Sequence, residues 1–491
     1  MNFEELVCPP EYHIFQRETA FLVSDPVAFL WFVTDETGKT VVDSLAKDRS
    51  LHSVCRDVSD LWVRTGVSGS QDAESYVRTF VSHLVKIGFL HRGAYRPPDW
   101  GAGVQTRPTI LYLHLTSKCN LKCPYCYNQE HRHQLIQIGK QQAPSEKKTP
   151  LSTEPETAKL LQVVEEAAGL GFTSLKLTGG EALLNKDALR IAARAKECGM
   201  SVNLLTNATL ITESVAAEIS KVVDSVSISL DSDNAEEHDT VRGAGTHAAV
   251  LRSINLLKEK GLKHLHLNAV ITPVNLKSVG SFLDYAWNSL KADQVTIAAT
   301  GLNVEDPNGR WRAGEYMLSG DEYRFVYDQE RDFYVKRKNA EANMPVVRTS
   351  SLFRRHCGVG NGLLSVDPNG DIYPCQTLHN PEFVTGNAFQ DGGLTKLLTE
   401  SSPVLDRVKG ATVDKLPECK TCPVRYVCAG GCRAEAYTNE GDFLARHRAL
   451  CPTLFQSALD RMWDAASIPA SQLDEMRKKR NDVQEIQPVS A

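Results

Sequence analysis

The chain has 491 residues, 42% hydrophobic and 23% charged, the profile of a globular protein of about three domains. A formal net charge of -5 gives no general reason to expect nucleic acid as a partner. The chain has no apolar run of about 18 residues, and the opening MNFEELVCPPEY carries acids where a signal peptide needs Lys or Arg. Neither a membrane partner nor export is expected, and a cytoplasmic location follows.

Residues 1–94 read as a small α+β unit. Tyr12–Val23 and Ala28–Val33 have the aromatic and β-branched content of strands, and DETGK (35–39) has turn chemistry. Leu51–Val63 and Ala73–Ile87 read as helices, the second stopping at Gly88. RPPDWGAG (96–103) has the Pro and Gly density of a linker.

From residue 95 to 310 the pattern alternates. TILYLHL (109–115), TSLKLTGG (173–180), SVNLLTN (201–207), DSVSISLD (224–231), KHLHLNAVI (263–271) and DQVTIAA (293–299) are predicted strands. Helical stretches separate them, such as Thr153–Ala168 with a Thr153…Glu156 capping box. Six strands with intervening helices predict a parallel sheet curved into an incomplete βα barrel, with its chemistry at the carboxyl ends of the strands. Cys119, Gly179–Glu181, Asn207 and Asp231 each fall at or just beyond such an end. Residues 128–151 are polar and Lys/Gln-rich, predicting a mobile loop whose His131 and His133 are solvated. A charged helical linker is expected over 311–356, then a cysteine-dense region over 357–455, then a polar tail over 456–491.

Thirteen cysteines in a reducing compartment are unexpected as disulfides. Cys8, Cys55 and Cys198 stand alone and read as small buried hydrophobes. The other ten fall in two groups, which points to metal. Cys119-x3-Cys123-x2-Cys126 is one thiolate short of the four that close a structural zinc site. Three thiolates on a four-iron cluster leave one iron open to an amine and a carboxylate. A zinc half-site is the alternative on spacing alone.

In this setting the triplet resembles that of the radical S-adenosylmethionine (SAM) enzymes, over about Arg107 to Ala299. The resemblance implies that Cys119, Cys123 and Cys126 hold a [4Fe-4S] cluster that binds SAM and gives a 5'-deoxyadenosyl radical. It implies further that Tyr125 contacts the adenine and that Gly179-Gly180-Glu181 holds the SAM amino group. Asn207 and Ser229 fall where ribose and carboxylate contacts are expected, and Arg242, with Arg252 as rival, is the candidate partner of the SAM carboxylate.

The later cysteines, Cys357, Cys375, Cys419, Cys422, Cys428, Cys432 and Cys451, have the spacing of the SPASM extension of that family, with zinc ribbons as the alternative. The resemblance implies two auxiliary [4Fe-4S] clusters, one on Cys357, Cys375 and Cys432, the other on Cys419, Cys422, Cys428 and Cys451. The stretch 346–356 has no cysteine, so an open or non-cysteine position, with His356 or a distant carboxylate as candidates, is expected on the first. Sulfatase-maturing relatives place an Asp after the second SPASM cysteine as proton acceptor, whereas Cys375 here is followed by Gln376.

Residues 1–94 resemble the winged-helix-like peptide-recognition domain of ribosomal peptide modifying systems, where a leader adds a strand to a sheet edge. The implied function is a maturase that abstracts hydrogen from a precursor peptide to form a thioether or carbon–carbon crosslink, reduced by a flavodoxin or ferredoxin. The alternatives are a maturase of a cofactor-precursor peptide, and an iron–sulfur redox-sensing DNA-binding regulator. The interspersed Lys, Arg, Asp and Glu of residues 1–94 speak against the last.

Overall fold

A computed structural model of the protein describes residues 3–47, 50–66, 72–97, 107–126, 155–299, 315–340, 353–390, 392–400 and 402–466. The predicted loop with His131 and His133 lies outside them.

The N-terminal unit opens with β1 (Leu6–Val7), which pairs antiparallel with β5 (His91–Arg92). Strands β2 (His13–Arg17), β3 (Ala20–Asp25) and β4 (Leu30–Thr34) form an antiparallel sheet in that order. Tyr12–Val23 is therefore not one strand but a hairpin, which Glu18 turns by taking φ 52. DETGK is not a turn either. The Asp35 carboxylate accepts from the Gly38 amide at 2.9 Å, the geometry of a helix N-cap, and α1 (Glu36–Lys47) starts there. Helices α2 (Leu51–Thr65) and α3 (Ala73–Ile87) are capped by Ser50 and Asp72 and end on left-handed Gly66 and Gly88.

One face of this sheet and its helices share a core that includes Val23, Val41, Leu45, Val58, Val81 and Leu84. Leu22, Phe29 and Trp31 face the other way, onto Val424, Val427, Met462 and Trp463 of the C-terminal region. The Trp31 indole donates to the Met462 carbonyl at 3.0 Å, and Arg17 pairs with Asp460 at 2.6 Å. Cys8, Cys55 and Cys198 are half-buried rather than buried, the first two lying against the N-terminal core.

The predicted barrel strands are β6 (Ile110–His114), β7 (Ser174–Thr178), β8 (Ser201–Thr206), β9 (Ser225–Ser229), β10 (His264–Ile271) and β11 (Gln294–Ala299). They pair in parallel in sequence order. The sheet does not stop at β6. Strand β12 (Leu363–Val366) pairs parallel with β6, and β13 (Asp371–Tyr373) and β14 (Gly386–Asn387) follow antiparallel, so the cysteine-dense region continues the barrel sheet.

Helices α4 (Thr157–Gly169), α5 (Ala188–Glu197), α6 (Glu213–Val222), α7 (Ala235–Arg242), α8 (Thr246–Glu259) and α9 (Val279–Asp284) connect the strands. The capping box expected for α4 does not form. Glu156 is itself the N-cap and makes no side-chain cap bond, and Thr153 lies outside the described residues. Leu111, Leu113, Leu175, Leu177, Val226 and Ile228 bury against the helices. Side chains alternate along a strand, so Tyr112, Lys176, Ser227, His266 and Thr296 line the concave side.

Helix α10 (Gly320–Ala340) lies within the expected linker. Short helices α11 (Gly393–Thr399), α12 (Pro403–Lys409), α13 (Arg425–Cys428) and α14 (Arg433–Glu440) precede α15 (Cys451–Ala466). The expected polar tail from residue 456 is thus a helix up to Ala466. Its Met462 and Trp463 are buried, and Asp460 and Asp464 pair with Arg324 and Arg331 of α10. Among the described residues no helix is long and apolar enough to cross a membrane.

Candidate functional site

The loop after β6 carries Cys119, Cys123 and Cys126 to the carboxyl end of the sheet. The Leu115 amide donates to the Thr178 carbonyl at 2.9 Å, and the β7 end then straps the loop. Gly180 and Glu181 amides each donate, at 2.8 Å, to the carbonyls of Thr116 and Lys118. The glycines are needed for this approach. A Cβ on Gly180 would lie 2.2 Å from the Lys118 carbonyl oxygen, and one on Gly179, at φ 147, would lie 2.4 Å from that of Thr116. The close approach is thus to the cysteine loop backbone, where the sequence pointed to a ligand.

Gly180→Ala should therefore cost about 1–3 kcal/mol of stability and lower iron retention by the loop. Gly169→Ala, where an added Cβ meets nothing within 4 Å, should leave both unchanged. Thermal unfolding and iron analysis of the two variants check this.

Glu181 is buried, and its carboxylate accepts from the Thr206 hydroxyl at 2.7 Å and the Asn207 and Leu183 amides at 2.8 and 3.1 Å. Burial holds its pKa above the usual carboxylate value despite these donors. Asn207 donates to Asn120 at 2.9 Å and lies 3.9 Å from the Cys119 sulfur. The ends of β6, β7 and β8 are thereby joined around the first thiol. Ser229 is half-buried at the end of β9.

Beside them is a network that sequence reasoning did not find. Asp231, 1% exposed, accepts from the Arg242 Nε and Nη2 at 2.7 and 2.9 Å, from the Val270 amide at 2.9 Å, and from the Tyr125 hydroxyl. The carboxylate that Arg242 meets in this structure is one of the chain's own, that of Asp231. Arg252, the rival, is exposed on α8. The Arg242 guanidinium also lies 5.5 Å from the Tyr125 ring, so the residue before Cys126 is anchored to the β9 end. Burial pushes the Asp231 carboxyl up, but the Arg242 guanidinium outweighs it and holds the carboxyl below its ordinary value. Asp231 stands in the predicted strand end SISLD; Arg242, in HDTVRG, was read instead as a partner for a ligand.

Burial pushes the Cys119 thiol up to about 11 and the Cys123 thiol to about 12, with Arg242 pulling Cys123 the other way. Cys119, Cys123 and Cys126 are near enough to disfavour one another's ionisation. Three adjoining thiols that resist ionisation unless a cation joins them fit a metal cluster.

The later cysteines gather as three and four. Cys419, Cys422, Cys428 and Cys451 line one cavity of about 240 Å³, with Arg425 and Arg446 on its wall. The Gly430 and Gly431 amides face the Cys428 sulfur, and the Val424 amide faces that of Cys422. Amide donors to sulfur are the hydrogen bonds that tune a cluster's potential. Arg433, fully buried, donates to the carbonyls of Phe443 and Ala445 at 3.1 and 2.8 Å and to that of Gly430, tying the turn together. Among the described residues no group of His, Cys, Asp and Glu is poised to hold a single metal ion, whereas the cavity has room for a many-atom group.

Cys357, Cys375 and Cys432 adjoin one another at the end of the sheet beyond β12. The Thr377 hydroxyl is 3.2 Å from the Cys375 sulfur, and Tyr112 on the concave side of β6 faces the same sulfur. The Nδ1 of His356 accepts from the Gly358 amide at 3.0 Å.

On the concave side a chain of polar contacts crosses the strands. Thr296 meets His266 at 2.8 Å, His266 meets Ser227 at 3.0 Å, and Ser227 donates to Asn203 at 3.1 Å. Burial pushes the His266 imidazole down to about 4, so it is neutral at pH 7. The alternating polar residues of SVSIS and HLHLN were the available signal.

A parallel βα sheet with three thiols on its first strand-end loop, followed by two further groups of three and four cysteines, is the arrangement expected of a radical SAM enzyme with auxiliary clusters. Residues 113–286 match the Radical SAM superfamily and residues 357–423 match SPASM, an iron-sulfur cluster-binding domain, so the chain carries a radical SAM domain and a SPASM domain. It is 26% identical over 357 residues to the PqqA peptide cyclase of Granulibacter bethesdensis, covering 68% of this chain and 85% of that protein. It is 25% identical over 347 residues to the mycofactocin maturase MftC of Mycolicibacterium smegmatis, covering 67% and 79%. Among solved structures, Streptococcus suis SuiB bound to S-adenosylmethionine superposes with TM-score 0.53 at 16% identity, covering 91% of this chain and 99% of that one. The anSMEcpe structure with bound AdoMet gives TM-score 0.57 at 22% identity, covering 73% and 99%.

Proposed function

We propose that the chain is a radical SAM peptide maturase that forms a thioether or carbon–carbon crosslink in a ribosomally made precursor peptide. The observation that carries this reading is the three-thiol loop strapped beneath Gly179–Glu181. Relatives named for peptide cyclisation and maturation support the substrate class. They equally favour the narrower reading, a cofactor-precursor peptide.

In this reading Cys119, Cys123 and Cys126 hold the SAM-binding cluster, and two auxiliary clusters sit on the groups of three and four. Bound together, cluster and SAM supply a 5'-deoxyadenosyl radical that abstracts hydrogen. The chain's own residues orient and shield. Gly179 and Gly180 bring the β7 end against the cysteine loop, and Glu181, Asn207 and Ser229 sit where SAM's polar groups would meet them. Tyr125 offers its ring, its hydroxyl being held by Asp231. Tyr112, Lys176 and His266 form a polar floor for the peptide. A flavodoxin or ferredoxin supplies electrons, the cytoplasm is the setting, and nucleic acid has no role. The domains run 1–94 for leader recognition, 95–310 for the barrel and 357–466 for the auxiliary clusters, α15 included.

The edge strands β2 and β4 are where a leader can add main-chain hydrogen bonds. Phe29 and Trp31 are occupied against the C-terminal region, and deleting residues 1–94 would bare Val424, Val427 and Met462. Val33, 40% exposed on β4, is the cleaner position. The chain is co-expressed with short reading frames neighbouring its own, and peptide masses are read for the hydrogens lost in a crosslink. Val33→Pro should lower crosslinked product roughly tenfold or more at low peptide concentration, because tethering concentrates the core segment. Deoxyadenosine release should persist. Equal product from both proteins would remove the recognition role.

A further inference from the structure

Resting on the reading that Cys419, Cys422, Cys428 and Cys451 hold a cluster, we propose that the N-terminal sheet forms one wall of that site and sets the cluster's reduction potential. This role is separate from leader recognition, because it belongs to a face of the sheet and not to its edges. Phe15, Leu22 and Trp31 stand on that face, with Phe15 opposite Leu22 in the register of β2 and β3. Leu22 is fully buried, yet it has no place in the core of its own unit. The C-terminal region buries it. Cys422 and Cys428 themselves pack against the core that Leu22 shares with Val424, Val427 and Met462.

Val424 and Phe455 belong to both places. Each lines the four-cysteine cavity, and each packs in the core shared with the sheet. The Phe455 ring meets the Phe15 ring edge-on, with centroids 6.1 Å apart. The wall between cavity and sheet is thus one side chain thick. Two polar contacts lock the sheet onto α15, the helix that begins at Cys451. One is the Trp31 indole on the Met462 carbonyl at 3.0 Å. The other is Arg17 on Asp460 at 2.6 Å, with the guanidinium 4.9 Å from the Trp463 ring. An apolar wall acts on a cluster through solvent access. Reduction adds negative charge to a site that four thiolates already make anionic. Burial disfavours the more charged form, so the docked sheet holds the potential down. Water admitted on the Cys422 and Cys428 side would raise it.

The test uses the full chain, reconstituted with iron and sulfide, carrying Cys119→Ala, Cys123→Ala and Cys126→Ala so that only auxiliary clusters report. Phe15→Ala with Trp31→Ala takes two rings from the wall and changes no charge. Both clusters' potentials are read by titration followed by EPR, and iron release to a chelator is timed. One cluster's potential should rise and its iron should leave severalfold faster, while the other cluster matches the background chain. Gln16→Ala, exposed on the same strand and pointing to the opposite face, should change neither. Unchanged potentials and release in the double variant overturn the proposal, as does an equal change in Gln16→Ala. Should the double variant lose both clusters, Phe15→Ala alone, which keeps the Trp31–Met462 bond, carries the test with the same two outcomes. A Cys451→Ala chain that retains both cluster spectra overturns the reading of the four-cysteine site, and the proposal with it. Loss of one spectrum there, beside an unmoved potential in the ring variants, overturns the wall alone.

Discussion

Replacing Cys119, Cys123 and Cys126 together by Ala should abolish SAM cleavage while leaving about eight irons on the two auxiliary sites. The three thiols stand on one loop, held at the carboxyl ends of β6 and β7 by amides of Gly180 and Glu181. The seven cysteines of the two auxiliary groups are built on separate elements, from the turn before β12 to α15, and four of them ring their own cavity. Loss of the first site should therefore not propagate to the others. Deoxyadenosine and methionine are measured by chromatography, with iron and sulfide determined on the same sample. Undiminished cleavage by the triple variant would end the radical SAM reading of this loop.

Arg242→Met should destabilise the protein by about 3–5 kcal/mol, the cost of stranding a buried charge. Asp231 is 0% exposed at its side chain and Arg242 9%, and the remaining donors, Tyr125 and the Val270 amide, do not neutralise the carboxylate. Adding Asp231→Leu should recover much of the loss, because an apolar pair carries no desolvation cost. The effect has a defined pH dependence. Arg242 holds the Asp231 carboxyl below its unfolded value of about 3.9, so the pair's contribution is complete above that pH. It is lost as pH falls through the lower folded value. Thermal or denaturant unfolding of wild type, single and double variants from neutral to acid pH checks the sign. Since Tyr125 is anchored to the same carboxylate, iron loading at Cys126 should fall in the single variant, and failure of both effects would show the pair to be dispensable.

The barrel strands were legible because their apolar residues alternate and their ends carry Gly, Asn and Asp. Each predicted strand contains the observed one within a residue or two at either end. Helix α1 was hidden because Asp35 and Gly38 serve equally as turn residues and as a cap with its first helical turn, and only the Asp35–Gly38 contact separates the two. The grouping of cysteines followed from spacing. The pairing of Asp231 with Arg242 did not, since neither residue marks which carboxylate an arginine will meet. The resemblance tied Gly179 and Gly180 to a ligand, but that their close approach is to Thr116 and Lys118 depends on how two strand ends converge. Helix α15 was read as the start of a polar tail because residues 456–466 mix Arg, Asp and Ser with its buried Met462 and Trp463.

The pairing of β12 with β6 joins Leu363 to Ile110, partners from distant parts of the chain. A ribosome must therefore deliver the cysteine-dense region before the first barrel strand gains its second neighbour. Until then β6 is an open edge, with unpaired amides and carbonyls of the kind that recruit other chains. Closing so long a loop is slow, because its entropy is lost before the contact repays it. Cluster assembly and barrel completion are thus coupled in time: the last strand to complete the sheet is made of the same region that carries the auxiliary thiols, and a chain interrupted after β11 ends with its first strand exposed.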